Sequence, residues 1–220
     1  MNDSSLIISE YFSEDSTIDT NTLKIHLRKY FKEQLSVLSN KFLSQAGIHI
    51  FDYLINLNIL KNSKKIFVFL SMDSEINTHS FIEYLLWETD KEIYVPKIIN
   101  HEMKLVRIKN FLDLEENDLG FLEPTNTTEF YTEKDIDLAI IPALSFDEFG
   151  FRLGRGGGYY DKYLKEYNSY NIGICLSEFV NLAFSYNLDE WDQKVDALIT
   201  YENLDGNYYN NTVEFLEFKK

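Results

Sequence analysis

The 220-residue chain is long enough for one sizeable domain or two small ones, and its 45% apolar residues exclude wholesale disorder. With 21 basic and 36 acidic residues, the formal net charge of −15 argues against nonspecific binding to nucleic acid or to an anionic membrane, because both require a basic surface. A small anionic ligand stays compatible with this charge, since local basic residues can dominate the field inside a cleft.

Helices are predicted in the first part of the chain. Residues 1–20 carry five acidic and no basic side chains and are interpreted as a solvated acidic extension. From Thr22 to Leu38 the apolar residues recur every three or four positions, which predicts an amphipathic helix. Lys24 and Arg28 are four residues apart and so share one face of it. A second helical run is predicted at about 41–58.

Strands and helices then alternate along the chain. Apolar runs predict buried strands at 64–71, 91–97 (closed by Pro96), 135–147, 171–177 and 195–200, and the alternating 103–108 predicts an edge strand. Helices are predicted after Thr78, from about Gly158, and near 178–187, whereas 110–134 is interpreted as loop with short helical turns. This order predicts one α/β domain with a mostly parallel sheet covered on both faces.

The single cysteine, Cys175, can form no internal disulfide and no cysteine-based zinc site by itself. Its apolar surroundings, NIGICL, predict a buried, inert thiol. The sequence has no apolar run of 18 residues and no basic N-terminal segment, so we expect a soluble, cytoplasmic protein.

The segment FDEFGFRLGRGGGYYDKYL (146–164) holds five of the nine glycines. For this segment, the strand within the apolar run 135–147 is taken to end at Pro142, after which a loop leads into a helix. Free backbone N–H groups at such a junction favour an anion, and glycines let the backbone approach phosphate oxygens. Arg152 and Arg155 add positive charge, and Asp161 is placed to hold a Mg²⁺ that bridges phosphates. The segment therefore predicts a phosphate-binding site, with a glycine-rich turn between solvated arginines as the alternative.

Two common phosphate motifs do not fit this segment. A P-loop needs G-x-x-x-x-G-K followed by Ser or Thr, and no such pair follows the glycines. A dinucleotide fingerprint needs G-x-G-x-x-G, but after Gly154 and Gly156 the last position is Tyr159.

The segment resembles instead the F-D-x-x-G-x-R-L-G-x-G-x-G-Y-Y-D pattern of the 5-formyltetrahydrofolate cyclo-ligase (5,10-methenyltetrahydrofolate synthetase) family. Further segments resemble that family in the same order between about residues 22 and 202. They are LKIHLRKYF, FLSMDSEINT, VPKI, MKLVRI, LGFLEP and WDQKVDALIT. The resemblance implies an ATP-dependent ring closure of 5-formyltetrahydrofolate to 5,10-methenyltetrahydrofolate, with release of ADP and phosphate.

The resemblance also implies an organisation for the chain. A cyclo-ligase domain would span 21–205, between the acidic extension (1–20) and a C-terminal tail (206–220). Its fold would be a single three-layer αβα domain with a mostly parallel sheet, of the type shared with sugar-phosphate isomerases and coenzyme A transferases. We expect a monomer whose partners are 5-formyltetrahydrofolate and ATP with Mg²⁺, and neither nucleic acid nor a membrane.

Site residues are transferred by motif position. The residues implied to bind ATP are Lys24, Arg28, Arg152, Leu153, Gly154, Arg155, Gly156, Gly157, Gly158, Tyr159 and Tyr160. The residues implied to bind the folate are Leu70, Glu75, Arg155, Gly156, Gly157, Gly158 and Tyr159. Arg155 and Tyr159 are implied to be catalytic, and Asp161 and Asp192 to hold magnesium. Without the resemblance, the sequence would predict that Lys24 and Arg28 lie on a solvated helix face. It would likewise predict that Leu70 is a core residue and that Glu75 and Asp192 are surface acids.

At one position of the closing motif this chain departs from the family's pattern, and two other functions are compatible with the sequence. The family usually has His before the metal-binding Asp, where this chain has Trp191, which can neither ligate a metal nor shuttle a proton. An aldose–ketose phosphate isomerase could use the same phosphate site, and a non-catalytic folate- or nucleotide-binding protein is the second rival. The four histidines show no metal-ligand spacing and are expected to be structural.

Overall fold

A computed structural model describes residues 19–117, 120–125, 129–180, 188–204 and 210–218. The acidic extension lies outside the described residues, except for Asp19 and Thr20. Asp19 is the N-cap of the first helix, and its carboxylate accepts hydrogen bonds from the N–H groups of Asn21 and Thr22. No helix among the described residues is long and apolar enough to cross a membrane.

Three of the five described α-helices precede the first strand, and the other two lie between strands. The α-helices are α1 (Thr20–Ser36), α2 (Asn40–Asn56), α3 (Asn58–Asn62), α4 (His79–Glu88) and α5 (Tyr159–Glu166), and Phe111–Asp113 and Ser177–Phe179 form 3₁₀ turns. The strands are β1 (Lys65–Val68), β2 (Glu92–Ile99), β3 (Glu102–Ile108), β4 (Leu114–Glu116), β5 (Leu122–Pro124), β6 (Leu138–Ile141), β7 (Ser145–Phe146), β8 (Arg152–Leu153), β9 (Tyr170–Leu176), β10 (Ala197–Asn203) and β11 (Asn211–Glu217).

The main sheet of the described chain has seven strands in the order β11-β10-β9-β6-β1-β2-β3. The five central strands run parallel, and an antiparallel strand closes each edge. The parallel strands are almost entirely buried runs, which is typical of a sheet covered on both faces. The predicted α/β class with a mostly parallel sheet is confirmed, and so is the edge strand at 103–108.

Helices cover both faces of this sheet. Tyr163 of α5 packs on Phe67 of β1, with ring centroids 4.7 Å apart. The strand register places Tyr201 of β10 on the opposite face, where its ring stacks on His49 of α2 at 5.6 Å. The described part of the chain therefore forms the three layers that the sequence predicts.

Several segments differ from the sequence-based expectation. The segment 110–134, predicted to be loop with short helical turns, contains one such turn but also the antiparallel pair β4–β5. Pro96 does not close its strand, and β2 continues to Ile99. The missing N–H of Pro96 breaks no hydrogen bond to β1, because Tyr94 is the last residue of β2 that pairs with β1. Residues 177–179 form a 3₁₀ turn in place of the start of the helix expected at 178–187, of which 181–187 lie outside the described residues. In the C-terminal tail, β11 adds an antiparallel edge strand to β10.

Candidate active site

A cleft of about 540 Å³ opens where the parallel strands β1 and β6 end. Phe69 and Leu70, which follow β1, line it together with Pro142 and Ala143, which follow β6. The two strands are paired neighbours, so these four residues meet at one edge of the sheet. The carboxyl-terminal edge of a parallel sheet is the usual place of a ligand site in open α/β folds.

All of the site residues implied by the resemblance line this one cleft. They are Lys24, Arg28, Leu70, Glu75, Arg152, Leu153, Gly154, Arg155, Gly156, Gly157, Gly158, Tyr159, Tyr160, Asp161 and Asp192. They come from four separate stretches of the chain, which only the fold brings together.

The glycine segment lines the cleft with backbone in a left-handed conformation. Gly156 has φ 107° and Gly158 has φ 68°, values that residues with a Cβ rarely adopt. Gly158 is the N-cap of α5, and no atom lies within 4 Å of where its Cβ would be. The first N–H groups of α5 are therefore free of a capping side chain and favour an anion.

Two other glycines make room for side chains of the site itself. A Cβ at Gly154 would lie 2.7 Å from Nη1 of Arg152, and one at Gly157 would lie 2.7 Å from Cε2 of Tyr159. The sequence indicated clearance for phosphates at these positions. In the structure, the clearance also lets the Arg152 guanidinium and the Tyr159 ring lie close against the loop.

Arg152 forms the buried floor of the cationic side of the cleft. Its side chain is only 3% exposed, and Nη2 donates to Oδ2 of Asp161 at 2.9 Å. Its guanidinium also lies 5.4 Å from the centre of the Tyr160 ring. Burial lowers the pKa of Arg152 and raises that of Tyr160. The positive charge of Arg152 is thus held in place by an acid and an aromatic face.

Helix α1 contributes two more cations. The buried ammonium of Lys24 contacts Asp192 and lies 2.8 Å from Oδ2 of Asp189. The N–H of Asp189 donates to Asp192, which fixes this short loop against the helix. Arg28 donates from Nε to the carbonyl of Gly154 at 3.0 Å, which joins α1 to the glycine segment.

Glu75 and Arg155 form an ion pair on another wall of the cleft. Nε of Arg155 donates to Oε1 of Glu75 at 3.0 Å, and Nη2 donates to the hydroxyl of Ser74 at 3.0 Å. The other carboxylate oxygen of Glu75 accepts from the N–H of Met72 at 3.0 Å. Since a carboxylate has about four acceptor sites, Glu75 can still accept N–H groups from a ligand.

Asp161 is the better fitted of the two residues predicted to hold a metal. Its Oδ1 is buried and has no hydrogen-bond partner, while Oδ2 binds Arg152. Oδ2 of Asp192 is already shared by Lys24 and Asp189. The described residues contain no cluster of three or more His, Cys, Asp or Glu side chains, but Mg²⁺ commonly takes only one or two carboxylates besides water and phosphate oxygens. The side chains therefore fit a magnesium ion that arrives with phosphates.

Another wall of the cleft was not predicted from the sequence. It is formed by the β4–β5 hairpin and by β2 and β3, and its members are Pro96, Lys97, Ile98, Met103, Asn117, Phe121, Leu122 and Glu123. Lys97 is buried, donates to the carbonyl of Pro124, and lies 3.2 Å from Oε1 of Glu123. A lysine inside a predicted buried strand was the only signal that could have indicated this contact.

Trp191, which occupies the usual His position of the family, is 63% exposed and does not line the cleft. Nζ of Lys165 lies 4.9 Å from its ring centre, so it makes a surface cation–π contact instead of packing in the core. Cys175 is buried as predicted, and burial raises the pKa of its thiol to about 12.

Comparisons with known proteins agree with the geometry. The profile of the 5-formyltetrahydrofolate cyclo-ligase family matches residues 20–201. A probable 5-formyltetrahydrofolate cyclo-ligase of Schizosaccharomyces pombe is 30% identical over 197 residues, covering 82% of this chain and 96% of the relative. The mouse 5-formyltetrahydrofolate cyclo-ligase is 29% identical over 202 residues, with 86% and 98% covered. The NMR structure of Aquifex aeolicus 5,10-methenyltetrahydrofolate synthetase superposes with a TM-score of 0.70 at 30% identity, covering 81% of this chain and 89% of that one.

Proposed function

The chain belongs to the 5-formyltetrahydrofolate cyclo-ligase family, and we propose that it uses ATP to convert 5-formyltetrahydrofolate to 5,10-methenyltetrahydrofolate, releasing ADP and phosphate. The observation that carries this proposal is the single cleft that joins a cationic, glycine-lined side to the Glu75–Arg155 pair. Such a cleft can hold a polyphosphate and a nitrogen-rich ring side by side.

The first step is a phosphoryl transfer. The formyl oxygen attacks the γ-phosphorus of ATP, the bond from that phosphorus to the β–γ bridging oxygen breaks, and ADP leaves. The formyl carbon is then joined to N5 by a double bond and to the phosphate by its former carbonyl oxygen. This reaction needs alignment and charge neutralisation more than covalent catalysis. Lys24, Arg28, Arg152 and the N–H groups at the start of α5 supply both.

The second step closes the ring. N10 attacks the activated formyl carbon and loses its proton, and the carbon–oxygen bond breaks, so that phosphate leaves with the former formyl oxygen. Arg155 neutralises charge on the oxygen that is phosphorylated and then expelled. Tyr159 orients the folate from the glycine segment. These two residues are the proposed catalytic groups.

A bound Mg²⁺ would neutralise phosphate charge and align the phosphates for in-line transfer. Asp161 would hold it through Oδ1, and Asp192 would be its second carboxylate once Lys24 turns to the phosphates. Glu75 would accept N–H groups of the pterin, and Leu70 would contact the ring beside it. Leu153, Gly156, Gly157 and Tyr160 complete the cleft surface against the nucleotide.

We propose that the enzyme acts as a monomer in the cytoplasm. The relation of its fold to those of sugar-phosphate isomerases and coenzyme A transferases stays a prediction.

One assay tests this function against its rivals. Protein is mixed with 5-formyltetrahydrofolate and MgATP, the absorbance of the methenyl product is followed, and ATP or Mg²⁺ is omitted in controls. Product that requires both supports the proposal. Folate binding without product would favour the non-catalytic binding protein, and turnover of an aldose phosphate without ATP would favour the isomerase.

A further inference from the structure

The loop at 69–78 connects β1 to α4 and carries Glu75; we call it the Glu75 loop. Its two ends are tied together by Thr78, which is completely buried. The Thr78 hydroxyl donates to the carbonyl of Phe69 at 2.8 Å and accepts from the N–H of Ser71 at 3.2 Å. The N–H of Thr78 in turn donates to the Ser71 hydroxyl at 3.0 Å. Three hydrogen bonds therefore close the base of the loop.

Thr78 occupies the N-cap position of α4 without capping the helix. Its side chain makes no cap hydrogen bond, and the side-chain oxygen of Asn77 accepts from the N–H of His79 instead. The hydroxyl that would ordinarily satisfy the helix end is thus engaged entirely by the Glu75 loop. A helix-stabilising role alone does not account for this geometry.

The second contact that fixes the loop comes from α2. Gly47 is a buried glycine inside that helix, and a Cβ there would lie 2.4 Å from the backbone oxygen of Asn77. The N–H of Asn77 also points to the carbonyl of Leu43 at 3.4 Å. Because Gly47 lacks a side chain, the end of the loop lies directly against the helix backbone.

The position of the Glu75 loop determines the positions of two residues of the proposed active site. The N–H of Glu75 donates to the carbonyl of Met72 at 2.9 Å, which with the Met72–Glu75 side-chain bond makes a tight turn. Within the described part of the chain, Glu75 and Ser74 accept the two hydrogen bonds that the Arg155 guanidinium donates. A shift of the loop would therefore move a proposed folate ligand and a proposed catalytic arginine together.

We propose that Thr78 and Gly47 are positioning residues, which set the place of Glu75 and Arg155 by closing the loop and seating it on α2. This inference rests on the proposed function, because it concerns how the folate side of the same cleft is held. Arg155 is also implied to bind ATP, but Lys24, Arg28 and Arg152 lie outside the loop, so binding of the nucleotide should depend on the loop less than binding of the folate does.

The first test compares Thr78→Val, which removes the hydroxyl at nearly constant shape, with Thr78→Ser, which keeps it. The matched control is Thr89→Val at the other end of α4, where the hydroxyl donates to Leu85 at 2.5 Å and accepts from Lys91 at 3.3 Å. KM for 5-formyltetrahydrofolate, kcat, the Kd of MgATP and the melting temperature are measured for each variant.

We expect Thr78→Val to raise KM for the folate roughly tenfold, the size of effect that follows from losing a hydrogen bond to a buried group. The Kd of MgATP should stay within about threefold, and Thr78→Ser should recover the wild-type KM. Thr89→Val should lower the melting temperature similarly without changing KM. Equal KM values in Thr78→Val and Thr89→Val would overturn the role of Thr78.

The second test, Gly47→Ala, does not depend on removing a hydrogen bond. To bring the new Cβ from 2.4 to at least 3.0 Å from Asn77 the loop must move, and a misplacement on the order of 1 Å can cost up to about a hundredfold in rate. We expect kcat/KM for the folate to fall at least roughly tenfold, while the control Ile48→Ala, on an exposed position of α2, leaves it unchanged.

The outcomes distinguish the proposed function from the positioning roles of Thr78 and Gly47. A wild-type protein that makes no product overturns the proposed function. An active wild type whose Gly47→Ala variant keeps its kcat/KM overturns the role of the α2 contact alone. If Thr78→Val fails to fold, kcat/KM for the folate is compared between Thr78→Ser and Gly47→Ala. A tenfold loss in Gly47→Ala with no loss in Thr78→Ser supports the proposal.

Discussion

Replacing Asp161 should separate two roles that its carboxylate combines. Oδ2 neutralises the buried Arg152, and Oδ1 is the unpartnered oxygen proposed to face magnesium. Asp161→Ala removes both, and leaving a buried charge without its partner costs about 3–5 kcal/mol. That loss is a large part of a typical domain stability of about 5–15 kcal/mol. An inactive Ala variant would therefore not distinguish a missing metal ligand from a weakened fold.

Asp161→Asn is the sharper variant. Its amide oxygen can still accept from Arg152, so the expected destabilisation is smaller, about 1–2 kcal/mol. The amide NH₂ then takes the place of Oδ1 and offers hydrogen-bond donors where a cation would bind. We expect a folded protein whose turnover falls at least about a hundredfold, since even changes to the groups that hold metal ligands in place cost about 10–100-fold in activity.

The assay measures initial rates of methenyl formation against Mg²⁺ concentration at saturating ATP, with urea unfolding of the same preparations. Asp135→Asn is the matched control, because Asp135 also pairs with a basic residue, Lys65, at 2.8 Å, but does not line the cleft. A folded Asp161→Asn protein with the wild-type rate and the wild-type dependence on Mg²⁺ would refute the metal role.

Three further variants and conditions have defined outcomes. Gly154→Ala should displace the Arg152 guanidinium and raise the Kd of MgATP roughly tenfold, as measured by calorimetry; an unchanged Kd would contradict the tight packing seen there. Lys97→Met should lower the free energy of unfolding, measured in urea, by about 2 kcal/mol, because it breaks a partly buried ion pair. Adding Glu123→Gln to this variant should restore part of the loss. If the losses of the two single variants simply add in the double variant, the result would count against the pair. Cys175 should resist alkylation in the native protein at pH 8, and rapid labelling would show that the thiol is not buried. Burial raises the pKa of this thiol to about 12, so the folded state keeps a proton that the unfolded state loses above about pH 9. Cys175 should therefore make the free energy of unfolding fall with rising pH between about 9 and 12, which is measured by unfolding at a series of pH values.

The sequence predicted the parts of the site that depend on local pattern. The glycine segment between a buried strand and a helix indicated an anion site, and the helix spacing placed Lys24 and Arg28 on one face. In the structure α5 begins after Gly158, and Arg28 reaches the carbonyl of Gly154. These features could be inferred because they follow from periodicity and from backbone chemistry at a helix end.

Two of the three contacts that could not be predicted from the sequence join distant segments, and the third closes a loop. Gly47 reads as an unremarkable glycine in a helical run until the structure places Asn77 against it. Thr78 reads as a helix cap, but its hydroxyl binds the loop before the helix. Lys97 is a lysine in a strand until its partners Pro124 and Glu123 are known. Tertiary packing, which has no local pattern, decides each of these roles.

In the proposed reaction the formyl oxygen becomes an oxygen of the released phosphate. It is tested most directly with 5-formyltetrahydrofolate labelled with ¹⁸O in the formyl group, MgATP and the wild-type protein, followed by mass analysis of the phosphate and of ADP. We expect one ¹⁸O atom in each phosphate formed and none in ADP. Methenyl product accompanied by unlabelled phosphate would contradict it.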